Sequence, residues 1–150
     1  MRNSDSPIRG EGAELYVQAI LMLEHGVITS RASRNMPGYD LIAHNLARKK
    51  DCKISVKYRK AANADGFRFT RLDDFDYFVG VIGRRGRVGT KASSDDAITD
   101  TLAECYVLTN SEVRKSVRNV GKHLLLPRNH PVLSKDTRNA WMRILHFLGK

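Results

Sequence analysis

The chain has 150 residues, 41% hydrophobic and 28% charged, the balance of one ordinary globular domain rather than of a disordered or membrane-embedded chain. Its 26 Lys and Arg against 16 Asp and Glu give a net charge of +10 and a pI near 9.9, which favours a polyanionic partner, nucleic acid before membrane, because no basic helix with a bulky apolar face stands out. No apolar run approaches the roughly 20 residues of a membrane span, the polar first residues lack a signal peptide's apolar stretch, and two distant cysteines, Cys52 and Cys105, suit reduced thiols in a cytoplasmic setting.

Residues 1–10 read as a flexible polar lead-in to a single domain over 11–150. From Glu11 to Glu24 the apolar residues Ala13, Val17, Ile20 and Leu21 recur at helical spacing, with Met22 and Leu23 beside them, and Gly26 supplies a stop. Val27 to Arg31 reads as a first strand and 32–38 as a loop turned by Pro37 and Gly38. Gly38 to Ala43 and Lys53 to Tyr58 read as second and third strands joined by the basic, polar segment 44–52. Phe67 to Phe69 is a short extended piece. Phe75 to Ile82 is the clearest strand, with Phe75, Tyr77, Val79 and Val81 on one face and Phe78 and Ile82 on the other, so both faces are expected to be covered. A turn follows at Gly83 to Arg87, then a polar loop or weak helix over 89–101. Glu104 to Leu108 reads as a strand, Glu112 to Val120 as a helix capped by Ser111, and His123 to Leu126 as an extended piece. The last helix is expected from near Ser134, burying Ala140, Trp141, Ile144, Leu145 and Leu148. Such an order describes an α/β fold, a mixed central β-sheet flanked by helices in a three-layer sandwich.

Three of these elements carry polar residues that a plain core element does not need. Ser55 and Lys57, two apart on a strand, point to the same side, and Asp40 sits on the strand expected to pair with theirs. A carboxylate and a lysine on neighbouring strands form the minimal kit for metal-assisted attack on a phosphodiester, which needs hard oxygen ligands that leave room for water and phosphate, and a cation to offset developing charge. Glu14 and Gln18, one turn apart at the rim of the helical stripe, add a second acid and an amide. Arg31, Arg34, Arg48, Lys49, Lys50, Arg59 and Lys60 fall in loops or strand ends expected to border this site, where they can meet phosphates independently of sequence. Arg84, Arg85 and Arg87, in a glycine-flanked turn, are a second candidate contact. Arg114, Lys115 and Arg118 read as the ordinary exposed face of one helix. The histidines and cysteines lack metal-ligand spacing, and neither a phosphate-binding glycine loop nor a nucleophile elbow appears.

Glu14-Leu15-Tyr16-Val17-Gln18-Ala19, the run Arg34 to Ala43 with its Pro37-Gly38-Tyr39-Asp40, and Ile54-Ser55-Val56-Lys57-Tyr58-Arg59 together resemble the three signatures of PD-(D/E)XK nuclease-like proteins. Within that superfamily the nearest likeness is to small bacterial single-domain proteins with a Holliday-junction-resolvase or restriction-endonuclease-like fold. The resemblance covers residues 11–82, where Phe75-Asp76-Tyr77-Phe78-Val79 matches the next core strand, and is only a broad pattern beyond. It implies a restriction-endonuclease-like sandwich and a Mg²⁺- or Mn²⁺-dependent DNA endonuclease or resolvase-like enzyme, with a homodimer suited to symmetric substrates. Asp40 would be a metal ligand, Lys57 the catalytic lysine and Glu14 the helix acid that assists the metal. Ser55 departs from the pattern, which has Glu, Asp or Gln there, and a neutral hydroxyl is a poor Mg²⁺ ligand. Three substitutes are open: Glu14, Gln18, or the carbonyl of Val56. Two other readings are open as well, a catalytically inactive nucleic-acid-binding module on the same fold and a protein-interaction domain.

Overall fold

The structure, a computed structural model, describes residues 5–35, 38–60, 65–83 and 103–150. Its elements are α1 (Asp5–Leu23), β1 (Ile28–Arg31), β2 (Leu41–Asn45), β3 (Lys50–Lys60), β4 (Gly66–Phe69), β5 (Tyr77–Gly83), β6 (Ala103–Thr109), α2 (Asn110–Ser116), β7 (Arg118–Val120), β8 (His123–Pro127) and α3 (Met142–Leu148). Five strands form a mixed sheet in the order β1-β2-β3-β5-β6, and β4-β8-β7 form a second, antiparallel sheet. Within the large sheet only β3 and β5 run parallel. They sit inside it, and the unbroken apolar run Tyr77 to Ile82 is what a strand covered on both faces requires.

Alternate residues feed two cores. Cys52, Ile54 and Val56 of β3 and Tyr77, Val79 and Val81 of β5 pack against Ala13, Val17 and Leu21 of α1 and against Trp141, Ile144, Leu145 and Leu148 at α3. On the opposite face Phe78 and Ile82 meet Phe67 and Phe69 of β4, Leu126 of β8 and Val113 of α2. Phe78 lies edge-on to the rings of Phe67 and Phe69, at centroid separations of 5.2 and 5.0 Å, the arrangement that aromatic quadrupoles favour. The layers are therefore α1 with α3, the five-stranded sheet, and α2 with the small sheet, which is the expected mixed sheet flanked by helices. Among the described residues no helix is long and apolar enough to cross a membrane.

Several boundaries differ from the sequence reading, each for a local reason. Residues 5–10, expected as lead-in, belong to α1, which starts six residues before Glu11. Phe75 precedes β5 and joins the Phe78 core rather than the side of Tyr77, Val79 and Val81. The second helix is capped by Thr109, not Ser111: Thr109 Oγ1 accepts from the Glu112 N–H, and the Glu112 carboxylate accepts from the Thr109 N–H, a reciprocal capping box. That helix ends at Ser116 instead of reaching Val120, because Arg118–Val120 turn back through Gly121 to pair with β8. The last helix begins at Met142, since residues 137–139 instead hydrogen-bond to β6: Val107 N–H donates to Thr137 O, and Asn139 N–H to Cys105 O. The extended pieces at Phe67 and His123 pair with each other as β4 and β8. The turn expected at Gly83 to Arg87 lies, beyond Gly83, outside the described residues, as does the segment 89–101.

Gly80 of β5 lets the small sheet come close. A Cβ there would stand 2.6 Å from Phe67 Cζ and 3.0 Å from Phe78 Cζ, and neither buried ring has room to retreat. Gly80→Ala is expected to cost about 1–3 kcal/mol through overpacking, read as a lower urea midpoint at unchanged slope.

Candidate active site

Asp40 continues the β2–β3 ladder past the end of β2, using its side chain. Its N–H donates to Ile54 O at 2.9 Å, its carbonyl accepts from the Ala32 N–H at 2.8 Å, and its Oδ2 accepts from the Val56 N–H at 2.6 Å. The paired register ends at Leu41 opposite Ile54, and Asp40, just beyond it, also directs its N–H to Ile54, so it stands as an extra residue at the end of the ladder beside Ser55 and Val56. The carboxylate thus supplies the acceptor that the backbone no longer offers once it bends away at Gly38. Only glycine suits that bend, for φ is +94° and a Cβ would lie 2.5 Å from Asp74 Cβ.

Beside Asp40, α1 and the end of β1 enclose a cleft of about 570 Å³ whose walls include Glu11, Glu14, Arg31, Arg34, Tyr39 and Asp40. Arg31 spans it, donating to Glu14 Oε2 at 2.9 Å and to Glu11 Oε1 at 3.2 Å. Burial raises the pKa of Glu14 above its ordinary value against the Arg31 hydrogen bond, and the nearby charge of Asp40 pushes it the same way. Asp40 is also raised by burial, opposed by the Val56 N–H and by the cations of Lys57 and Arg31. Lys57 is lowered by burial, opposed by Asp40. Asp40 is therefore the hub, coupled to an acid on the helix and to a lysine on the neighbouring strand. In each case the loss of water outweighs the attraction between charges.

Lys57 lies on the aromatic face of β3, its ammonium 5.3 Å from the centroid of Phe69. Ser55, on the same side, is 5% exposed, and neither it nor Lys57 forms part of the cleft wall, which Asp40 alone joins to β3. Gln18 is occupied elsewhere, its amide donating to Thr29 O at 3.3 Å. Arg31 and Arg34 line the cleft. Arg59 instead braces the two sheets, its Nε donating to Gly66 O at 2.8 Å, and Lys60 ends β3, exposed. Arg48, Lys49 and Lys50, expected to border the site, belong to the far end of the β2–β3 hairpin: Lys50 lies 4.4 Å over the Phe147 ring, and Arg48 lies against Gly149. At about 3.4 Å per residue, β2 carries that turn some 17 Å from Asp40. Arg84, Arg85 and Arg87 are outside the described residues.

Glu11 and Tyr39 were not singled out from the sequence. Glu11 had a signal, since it precedes Glu14 by three residues and shares its helix face; Tyr39 had none. A second polar chain crosses the open face of the sheet, where His44 Nε2 lies 2.8 Å from Ser30 Oγ and His44 Nδ1 lies 2.8 Å from Asp51 Oδ1. With the Asp51 side chain 62% exposed, water screens this group, and we read it as a cross-strand ladder rather than a nucleophilic triad.

No protein-family model matches the chain, and neither does a curated protein sequence. Among solved structures, a bacterial homing endonuclease, I-Ssp6803I, is similar with a TM-score of 0.57 and 16% sequence identity, over 94% of this chain and 93% of that one. At that identity the likeness is one of fold, and the fold is a nuclease-like α/β sandwich.

The raised pKa of Asp40 has a thermodynamic consequence. The folded protein binds this proton more tightly than the unfolded chain, so ionised Asp40 costs stability above its raised pKa, and the cost vanishes as pH falls through it. Asp40→Asn keeps an acceptor for the Val56 N–H without the charge. It is expected to raise the thermal midpoint at neutral pH by about 3 °C, with the gap to wild type closing as acid protonates Asp40; a gap constant with pH would contradict this account.

Proposed function

We propose that the protein is a Mg²⁺- or Mn²⁺-dependent DNA endonuclease or resolvase-like enzyme of PD-(D/E)XK type that hydrolyses phosphodiester bonds at Asp40. The observation that carries this reading is the junction at Asp40, whose carboxylate shares a cleft with Glu14 and accepts from the Val56 N–H, one residue before the half-buried Lys57 on β3. The net charge of +10 and the likeness of fold to a homing endonuclease support it.

The donor chemistry fits a hard cation in one particular way. Among the described residues no three His, Cys, Asp or Glu stand together as a ready metal cage. Mg²⁺ seldom needs one: it is held by one or two carboxylates, with waters and substrate phosphates completing its shell. Asp40 and Glu14 would be the two protein ligands, and affinity is expected to be weak until a phosphate joins them. A cation bound there would lower the pKa of an attacking water and offset charge on the phosphate.

The chain's own groups have distinct tasks in this reading. Asp40 is fixed through Oδ2 by the Val56 N–H, so its other oxygen has a set direction. Arg31 holds Glu11 and Glu14 in the free protein, and its planar guanidinium suits a phosphate equally well. Lys57, with its pKa lowered, orients the water and stabilises the phosphorus centre as negative charge grows. The water oxygen bonds to phosphorus, one P–O ester bond breaks, the water loses a proton to solvent, and the departing sugar oxygen gains one. Ser55 favours a second reading, a non-catalytic DNA-binding module, because the buried position two before Lys57 on β3 offers a hydroxyl and no carboxylate.

Linear, branched and single-stranded DNA incubated with Mg²⁺ or Mn²⁺ separates the two readings. Cleavage by wild type, reduced at least about 100-fold in Asp40→Ala and in Lys57→Ala, is the expected result; equal rates in all three proteins would remove the hydrolytic reading. Ser55→Asp is expected to tighten Mn²⁺ binding by calorimetry, with a lower thermal midpoint from a further buried charge. DNA that binds but stays intact, with no Mn²⁺ heat even when DNA is present, is the outcome of the binding-module reading.

A further inference from the structure

The longest acid-free stretch of the chain is 113–135, which holds six Lys or Arg and two His between Glu112 and Asp136. At its centre is the β7–β8 hairpin. Val120 pairs with His123 across the two-residue turn Gly121-Lys122, and Gly121 takes the positive φ (+60°) that the first position of a type II′ hairpin turn demands. Every residue from Arg118 to His123 is exposed, whereas Leu125 and Leu126 of β8 are buried. The hairpin is thus a polar, cationic two-stranded ribbon standing on an apolar foot. This differs from the exposed helix face that the sequence suggested for Arg118.

Two observations give this ribbon a partner. Arg31, Arg68, Arg114 and Arg143 each have a carboxylate partner, but among the described residues neither Arg118 nor Lys122 has one. Its charge is left for a polyanion. The ribbon is also continuous with the candidate site: Phe69, under the Lys57 ammonium, pairs with Leu124, and Leu124 pairs with Asn119. At about 4.8 Å per strand, β7 lies about 10 Å from β4, near enough for one duplex to reach both, and a major groove, roughly 12 Å wide, admits a two-stranded ribbon.

We propose that the β7–β8 hairpin is a duplex-DNA contact that enters the major groove, with Arg118 on base edges and Lys122 on phosphate. Arg is the side chain whose fork pairs with guanine O6 and N7, while a lysine at a turn tip acts as a point charge. The proposal rests on the reading of DNA as the partner of the Asp40 site, but not on cleavage there.

Binding is measured by fluorescence anisotropy without divalent metal, on a duplex of about 30 base pairs, in an Asp40→Asn background that is cleavage-silent. Arg118→Ala with Lys122→Ala is expected to weaken binding at least tenfold and to reduce the slope of log K against log salt by about 1, the share of the phosphate contact at Lys122, with an unchanged thermal midpoint because both side chains are exposed. Methyl green, a major-groove ligand, is expected to compete, and netropsin, a minor-groove ligand, is not. Unchanged affinity in the double variant, an equal loss on removing the same charge at Lys49 and Lys50, competition by netropsin alone, or no binding by the parent at low salt would each overturn the proposal. A protein that never cleaves DNA but loses binding in the double variant would defeat the hydrolytic reading and leave this one standing.

Discussion

One hydrogen bond sets the geometry of the candidate site, that from the Val56 N–H to Asp40 Oδ2. A backbone donor in the middle of a central strand has to be satisfied, and here a side chain does it. The carboxylate consequently sits where strand pairing requires an acceptor, and its direction is dictated by the ladder and not by a rotamer on a loop. Gly38 makes this possible by bending the chain away just before Asp40, and β3 makes it rigid by lying between β2 and β5. Each other group at the site takes its position from that centre: Arg31 from the end of the strand paired to β2, Glu14 from the helix packed over it, Lys57 from the next outward position on β3.

The site holds its charges at a cost. Two acids and a lysine, partly withdrawn from water, are each pushed towards the neutral form even though Asp40 and Lys57 attract one another. Arg31 relieves part of this by lending its charge to Glu14 and Glu11. In that setting Ser55 has a simple physical effect. A carboxylate at position 55, on the strand beside Asp40, would add a like charge at a buried position, which a serine avoids, and the same substitution withdraws a hard ligand from any cation. Stability of the free protein and affinity for metal pull in opposite directions at this one residue.

The second face of the sheet shows why local patterns described the chain unevenly. The alternation along β5 announced two covered sides, yet it could not identify what covers the second one. Phe67 to Phe69 and His123 to Leu126 are more than fifty residues apart, and each is too short to stand alone. They become strands only by pairing with each other and closing over Phe78. The last helix starts later than its periodicity predicts for a related reason: Thr137 and Asn139 hydrogen-bond to β6, a long-range demand that overrides local helical periodicity. Arg48, Lys49 and Lys50 are close to Asp40 in sequence but a full strand length away in space, because a hairpin carries its turn to the opposite end from its open strands.

By itself the sequence determined the alternation of helix and strand, the α/β class, the dry centre at Phe75 to Ile82, and the three residues Glu14, Asp40 and Lys57 on which the candidate chemistry turns. These are properties of local period and spacing, which a chain carries whether or not it is folded. The tertiary structure alone decided which of the cations stand near those residues, that Glu11 joins them while Gln18 is tied to β1, and that Arg118 belongs to a projecting ribbon instead of a helix. Such facts depend on strand register, on hairpin direction and on pairing between distant segments. All three come from how backbone donors and buried rings are satisfied in space, and none of them leaves a mark at a fixed spacing along the chain.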